Sequence, residues 1–349
     1  MNNLLVVDGS ALLNIIFFAS ISDVSKQIKD VDVVDQVIDG YFRTGHGHYT
    51  ENVGAFISMV LTLKRQTISD SVVVCFDKSS DSTFRKKQYP AYKANRNRRP
   101  KAIKDQMKVL HCILNNVGIK CFWADQFEAD DLAGSIIQHF KGEFDNVYFY
   151  TKDRDWFQLL DENVKGIIPM RSEDEADGFR CYYQGVEEND PFKRGGAKAV
   201  GRNLCVTKDI CKELFGVYPE QVVDFKALAG DKSDNIPGVK GVGDDTARAL
   251  LDLFGTLSGV YNQVDSCTED SFKSSTKAYM KRSPYKNLVA GKQSAYESYW
   301  LATIKTDIPI PYAASYLSCN IDLDVLRQAI EIYNLESDLD WFVKPELSY

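Results

Sequence analysis

The chain has 349 residues, 44% of them hydrophobic and 26% charged, with a formal net charge of −7. That length and apolar content suffice for a sizeable core and exclude a chain disordered throughout. Its eight cysteines form no CxxC pair, no apolar run reaches the roughly 20 residues of a membrane helix, and the early ALLNIIFFA run lacks the basic flank of a signal peptide, so reduced, mostly buried thiols in a cytoplasmic protein without membrane contact are expected.

In chain order, NLLVV (residues 3–7) is a short apolar run ending at Asp8-Gly9-Ser10, and a helix-like segment follows to about residue 19. Residues 20–52 are polar and read as a long loop or a loosely held helix. His46 and His48 of TGHGHYT belong to that loop rather than to a metal site. VGAFISMVLTLKR restores helical periodicity, and SVVVCFDKS is a second apolar run, ending at Asp77. A third, NVYFYTKDRDW, ends at Asp153 and Asp155, with Trp156 and Phe157 as expected core anchors. Short apolar runs alternating with helical patterns predict an α/β fold with a mostly parallel sheet covered on both faces. All three runs deliver carboxylates at their C-terminal ends, the edge where open α/β sheets bind ligands.

DQFEADDLAG packs Glu128, Asp130 and Asp131 into four residues ahead of a helical pattern. Glu128 and Asp131 share a helix face and Asp130 does not, so the three converge only if the first precede the helix proper, at an N-terminus that favours anions. Asp153 and Asp155, two apart, project to one side of an extended chain. GDKSDN sets Asp231 and Asp234 in a turn opened by Gly230. We read the whole set as un-neutralised by any nearby Lys or Arg, so that cations must bridge it. Hard oxygen donors without His or Cys suit Mg²⁺ or Mn²⁺, and this many carboxylates suit two ions roughly 4 Å apart, an arrangement that performs in-line phosphoryl displacement.

Residues 78–108, which include Arg85, Lys93 and Arg96, carry eleven Lys or Arg against two Asp. That surplus marks polyphosphate binding, and interleaved Phe84, Tyr89 and Tyr92 suit stacking on exposed bases. Residues 170–205 mix charge runs with glycines and read as a surface insertion; Cys205 and Cys211 are expected to pack. NIPGVKGVGDDTARALLDLFG reads as a tight hairpin with Gly238, Lys240, Gly241 and Gly243, then a helix begun by Asp244 or Asp245. Such glycines let backbone approach a phosphate without reading sequence. Beyond residue 265 no chemical motif stands out.

VVDGSALL, CFD, FRKKQYPAYKANR, FEADDLAG, TKDRDWFQLL and DFKALAGDKSDNIPGVKGVGDDTARALL together resemble the 5′-nuclease family: the 5′-3′ exonuclease domain of bacterial DNA polymerase I, phage 5′ exonucleases and flap endonucleases. The resemblance implies a PIN-like α/β catalytic core over 1–205 with a helical arch at about 78–110 and the insertion at about 170–205. It further implies a helix-hairpin-helix DNA-binding region over 206–265, followed by a mainly helical extension over 266–349. Asp8, Asp77, Glu128 and Asp130 would hold one divalent ion. Asp131, Asp153, Asp155, Asp231 and Asp234 would form a second site or its outer shell. Tyr92 would stack on substrate, Lys93 and Arg96 would meet the scissile phosphate, Lys226 matches a basic position of some members, and the hairpin would bind K⁺ with duplex phosphate. The implied activity is a two-metal 5′-3′ exonuclease and flap endonuclease serving DNA replication and repair as a monomer, on DNA with free 5′ ends, flaps or nicks. Removal of RNA primers from hybrids, and DNA-structure binding without catalysis, are the alternatives. Asn14-Ile15 departs from the family, which commonly has Arg there.

Overall fold

The computed structural model describes residues 2–22, 31–39, 44–45, 47–78, 82–170 and 203–335, with 339 and 342. The expected insertion at 170–205 therefore falls almost wholly outside the described residues. A six-stranded sheet has the order β5-β4-β1-β6-β7-β8. Its strands are β1 (Asn3–Asp8), β4 (Ser71–Asp77), β5 (Lys120–Ala124), β6 (Asn146–Tyr150), β7 (Val164–Pro169) and β8 (Asn203–Val206). All neighbours pair in parallel except β7 with β8.

Valine-rich β1 and β4 sit in the middle of this sheet and are buried on both faces, which is why they read as continuous apolar runs. Side chains alternate as strand geometry requires. Leu4, Val6, Val73 and Cys75 join one core with the helix Ala129–Phe140. Leu5, Val7, Val72, Val74 and Phe76 join the other, beneath the helices Gly9–Ser20, Val53–Gln66 and Lys101–Asn116. In chain order the helices are α1 (Gly9–Ser20), α2 (Val31–Asp39), α3 (Val53–Gln66), α4 (Phe84–Gln88), α5 (Lys101–Asn116), α6 (Ala129–Phe140), α7 (Lys208–Phe215), α8 (Val222–Ala229), α9 (Asp244–Phe254), α10 (Leu257–Ser266), α11 (Glu269–Thr276), α12 (Tyr285–Ala302) and α13 (Leu323–Tyr333). Asp8 ends β1 and caps α1, accepting from the Ala11 N–H at 2.8 Å. The turn there tolerates only glycine at position 9, because a Cβ would lie 2.5 Å from the Phe76 ring.

Within 20–52, expected to be a long loop or a loosely held helix, the described residues include a helix and a small strand pair. α2 buries Val34 and Ile38, four residues apart on one face, and the two-residue strands β2 (Thr44–Gly45) and β3 (His48–Tyr49) pair antiparallel. His48 contacts Asp105 at 3.0 Å, and His46 lies outside the described residues. In the segment expected to be a helical arch, helix is limited to α4 and the start of α5; turns and extended chain join them over 89–100. Trp156, Phe157, Cys205 and Cys211 are buried as expected.

Beyond residue 265 the chain packs against the hairpin region instead of trailing from it. α12 lies along α8, and the 3-10 turn Ala314–Leu317 sits against β4.

Candidate active site

The central strands β4, β1 and β6 bring the acids together at the sheet's carboxyl edge. β1 is the first strand laid down and its neighbours β4 and β6 run to opposite sides, so the crevice opens beside it. Asp8, Asp77, Asp130 and Asp153 line a cavity of about 480 Å³. Asp8 comes from the end of β1, Asp77 from the end of β4 and Asp130 from the first turn of α6. Asp153 starts the 3-10 turn after β6, where it accepts from the Asp155 N–H at 2.9 Å.

Of these four carboxylates only Asp77 has an ion-pair partner among the described residues. Asp77 has a cation, Arg99, at 2.6 Å, and also accepts from the Ala129 N–H at 2.8 Å. Burial pushes Asp77 up, but Arg99 and that N–H outweigh it and hold the group below its ordinary range. Asp8, Asp130 and Asp153 form no ion pair among the described residues. Asp8 accepts from the Thr151 hydroxyl at 2.8 Å, and Asp130 from the Trp156 indole N–H at 2.7 Å. Burial, and then the charges of Asp77 and Asp153, push Asp8 up to about 7 despite the Ala11 and Thr151 bonds. Asp130 is pushed well above the carboxylate range by burial, with Asp153, Asp8 and Asp77 adding to it and Lys93 opposing. Among the described residues no three His, Cys, Asp or Glu side chains converge closely enough to hold an ion as they stand, so the fit to a hard divalent cation rests on the chemistry of these desolvated oxygen donors rather than on a preformed cage.

The other five carboxylates are braced, which corrects the expectation that no Lys or Arg neutralises the set. Arg85 is buried and reaches Asp131 at 2.7 Å through each of two nitrogens and Glu128 at 3.0 Å. Asp131 also accepts from the backbone N–H of Glu128 and of Lys305, closing a capping box at the start of α6. Its carboxylate is thereby committed to structure, and Arg85 is not free for a phosphate. Glu128 turns from the cavity towards Lys93, 2.5 Å away, and accepts from the Tyr92 hydroxyl at 3.1 Å. Arg96 bonds Asp234, and Lys93 lies 3.5 Å from the same group. Lys226 bridges Asp155 and Asp231, the latter at 2.6 Å. Lys226 counteracts the effect of burial on Asp231 and holds it at about 2.

Segment 89–96 is clasped to the GDKSDN turn. The Lys93 N–H donates to the Asp234 carbonyl at 2.8 Å, Asn95 to the Lys232 carbonyl at 2.7 Å, and Asn235 to the Ala91 carbonyl at 2.7 Å. Both Lys93 and Asn235 take left-handed backbone to make this fit, with φ of 53° and 56°. Tyr92 is buried against Val223, Ile236 and Leu301, so its ring is not presented to a base here. Burial opposes the charge of Lys93, but Tyr92, Glu128 and Asp234 hold its ammonium well above the usual lysine value.

Lys93 and Arg96 reach the cavity as expected, whereas Lys226 is buried beside it and does not line it. Arg99, Lys152 and Arg154 complete a cationic rim that the sequence reading did not single out. Two of them flank Asp153 directly, a signal visible in TKDRDW. Asn14, Ile15 and the exposed Phe18 form the wall contributed by α1. At the hairpin, Val239 and Val242 anchor the loop in the core and leave Lys240, Gly241 and Gly243 exposed. Gly238 has φ 63°, and a Cβ there would strike the Gly230 nitrogen at 2.3 Å. Its N–H donates to Ser298 at 2.9 Å and its carbonyl accepts from Ser294 at 2.6 Å, both on α12.

Two family models match this chain. The 5′-3′ exonuclease N-terminal resolvase-like domain matches residues 3–188, and the 5′-3′ exonuclease C-terminal SAM fold matches residues 217–322. The chain belongs to the 5′-3′ exonuclease family. The fold and enzyme class expected from the motifs hold with that membership. Among relatives of this chain, the DNA polymerase I of Caldicellulosiruptor bescii is 33% identical over 278 residues, covering 80% of this chain and 27% of that protein. The chain thus spans little more than a quarter of the polymerases it matches. A 5′-3′ exonuclease of Halalkalibacterium halodurans is 29% identical over 291 residues, 80% of this chain and 83% of the relative. The flap endonuclease of bacteriophage T5, solved as a pseudo-enzyme–product complex with DNA and metal ions, shares the fold with a TM-score of 0.57 and 19% identity over 97% of this chain and 100% of the phage protein.

Proposed function

We propose that this exonuclease-family chain is a divalent-metal-dependent, structure-specific 5′ nuclease that hydrolyses phosphodiester bonds near the 5′ ends of flapped or nicked DNA. The observation that carries this reading is the pocket where Asp8, Asp77, Asp130 and Asp153 meet under a rim of Lys93, Arg96, Arg99, Lys152 and Arg154. Acids to hold cations and a rim to receive phosphate are the two requirements of phosphoryl transfer. Asp8, Asp77 and Asp130 would hold one Mg²⁺ or Mn²⁺. Asp153 interacts electrostatically with both Asp8 and Asp155, and a second ion held by Asp155 and Asp231 would have to displace Lys226 from them. When bound, such ions supply an activated water and stabilise charge on the displaced oxygens.

The chain's own residues do the rest. Lys93 and Arg96 exchange Glu128 and Asp234 for the phosphate oxygens of an entering strand, and Arg99, Lys152 and Arg154 hold the neighbouring phosphates. Lys240 and the exposed glycines of the hairpin grip duplex backbone, and the hairpin would hold K⁺, which would supply positive charge for that grip. None of these contacts reads a base, so sequence preference is weak and salt dependence steep. One chain carries the whole pocket, which supports action as a monomer. Among the described residues no helix is long and apolar enough to cross a membrane, and we place the activity on DNA in the cytoplasm.

The test is cleavage of labelled flap, nicked and RNA-primed duplexes, each with Mg²⁺ or with EDTA. Metal-dependent cleavage of the two DNA substrates, ahead of the RNA-primed one, is expected. Binding of flap DNA without cleavage in either Mg²⁺ or Mn²⁺ would reassign the chain as a DNA-structure binder.

A further inference from the structure

The C-terminal region contains a charge asymmetry that the active site does not use. Between residues 271 and 296 there are six basic residues and no acidic one, in a chain whose formal charge is −7. Lys273, Lys277, Lys281 and Arg282 are exposed and make no ion pair or side-chain hydrogen bond among the described residues. Lys273 and Lys277, four apart where α11 ends, occupy one side of it while Phe272 and Thr276 are buried. Like charges at that spacing cost helix stability, so this arrangement does not serve the helix. Lys286 follows in the first turn of α12, with only a 3.6 Å contact to Glu269.

This run leads directly into the hairpin. Asn287 abuts Gly241, where a Cβ would lie 2.5 Å from its amide nitrogen, and Gly291 allows Val239 to approach α12. α12 then holds Gly238 through Ser294 and Ser298. Lys286 lies on the helix that fixes the hairpin backbone, and Lys277, Lys281 and Arg282 lie in the segment that leads into that helix.

We infer that Lys277, Lys281, Arg282 and Lys286 form a continuation of the hairpin's grip, a track for the phosphates of the same duplex arm beyond the hairpin. The inference rests on the proposed action on DNA. An acidic polypeptide would also match the charge, but the continuity with the hairpin favours duplex backbone. The track lengthens the footprint and lets the protein distinguish a long duplex arm from a short one.

The test compares wild type with a Lys277→Gln/Lys281→Gln/Arg282→Gln variant by fluorescence anisotropy on flap junctions whose hairpin-side arm has about 8 or about 20 base pairs, less and more than about one helical turn. Wild type is expected to bind the long arm about tenfold more tightly than the short one, and the variant to lose most of that ratio. The slope of log Kd against log salt on the long arm is expected to fall by about 2 to 3, at about 0.9 per lost phosphate contact. A Lys277→Arg/Lys281→Arg variant keeps the charge and is expected to keep the ratio. Unchanged ratio and slope in the glutamine variant overturn the track, and so does a loss of binding confined to polyglutamate, which assigns the surface to a protein partner. If wild type itself binds neither junction, the nuclease reading fails, a separate result.

Discussion

The nine carboxylates divide into two groups that differ in their neighbours rather than in their chemistry. Glu128, Asp131, Asp155, Asp231 and Asp234 each have a Lys or Arg partner, as does Asp77 through Arg99 at the cavity wall, and Asp8, Asp130 and Asp153 have none among the described residues. A buried acid with a fixed cation is satisfied and holds structure. A cluster of acids without one stores repulsion that a ligand relieves on binding. The comparison teaches that acid spacing in a sequence identifies the region of a metal site, while counter-charges from distant segments decide which acids are left for the metal.

The strongest way to break the comparison is to substitute in the unpaired group. Asp130→Asn or Asp153→Ala is expected to lower single-turnover cleavage more than about a thousandfold while flap binding stays within a few-fold, because phosphate contacts come from the rim. In the metal-free protein Asp130→Asn also relieves the cost of burying an acid that ionises freely when unfolded, and is expected to raise stability by about 1 kcal/mol, read as a higher melting temperature. A fully active Asp153→Ala protein would show that the metal assignment is wrong.

The braced group makes the opposite prediction. Arg85→Met leaves Asp131 buried and unpaired, and the expected cost is about 3–5 kcal/mol, seen as a lower urea midpoint. If Arg85 instead served phosphate binding, the variant would keep its stability and lose affinity for DNA.

How much of this was readable beforehand follows from chain distance. The positions of Asp8, Asp77 and Asp153 were plain because a buried parallel strand is a short apolar run, and its end is easy to locate. α6 was placed for the same reason, by a crowded N-terminus ahead of an apolar period. The braces were not readable: Arg85 and Asp131 are 46 residues apart, Lys226 and Asp155 71, and Arg96 and Asp234 138, and no local pattern links such pairs. α2 was obscured by polar neighbours even though Val34 and Ile38 carry its period. The role of α12 had no signal at all, since a serine facing a glycine backbone looks like any other serine.

A moderate effect is expected where the two groups meet. Lys93 occupies the boundary, on the cavity rim and bonded to Glu128. Lys93→Ala is expected to slow the chemical step about a hundredfold with a Kd change of only a few-fold, since the charge acts most strongly on the transition state. Equal losses in rate and affinity would mean that Lys93 holds the resting clasp or the ground-state substrate instead.

The smallest effect tests whether bracing extends to uncharged groups. Ser298 is fully buried and accepts from the Gly238 N–H, so Ser298→Ala leaves that donor without its partner at a cost of about 1–2 kcal/mol. The hairpin loosens while the acidic pocket, held by β1, β4, β6 and α6, is untouched. Affinity for duplex-bearing junctions is therefore expected to fall several-fold, with the single-turnover rate at saturating DNA within about twofold of wild type. A matching fall in that rate would mean that the hairpin also sets the depth at which the strand enters the cavity, and that the two regions act as one.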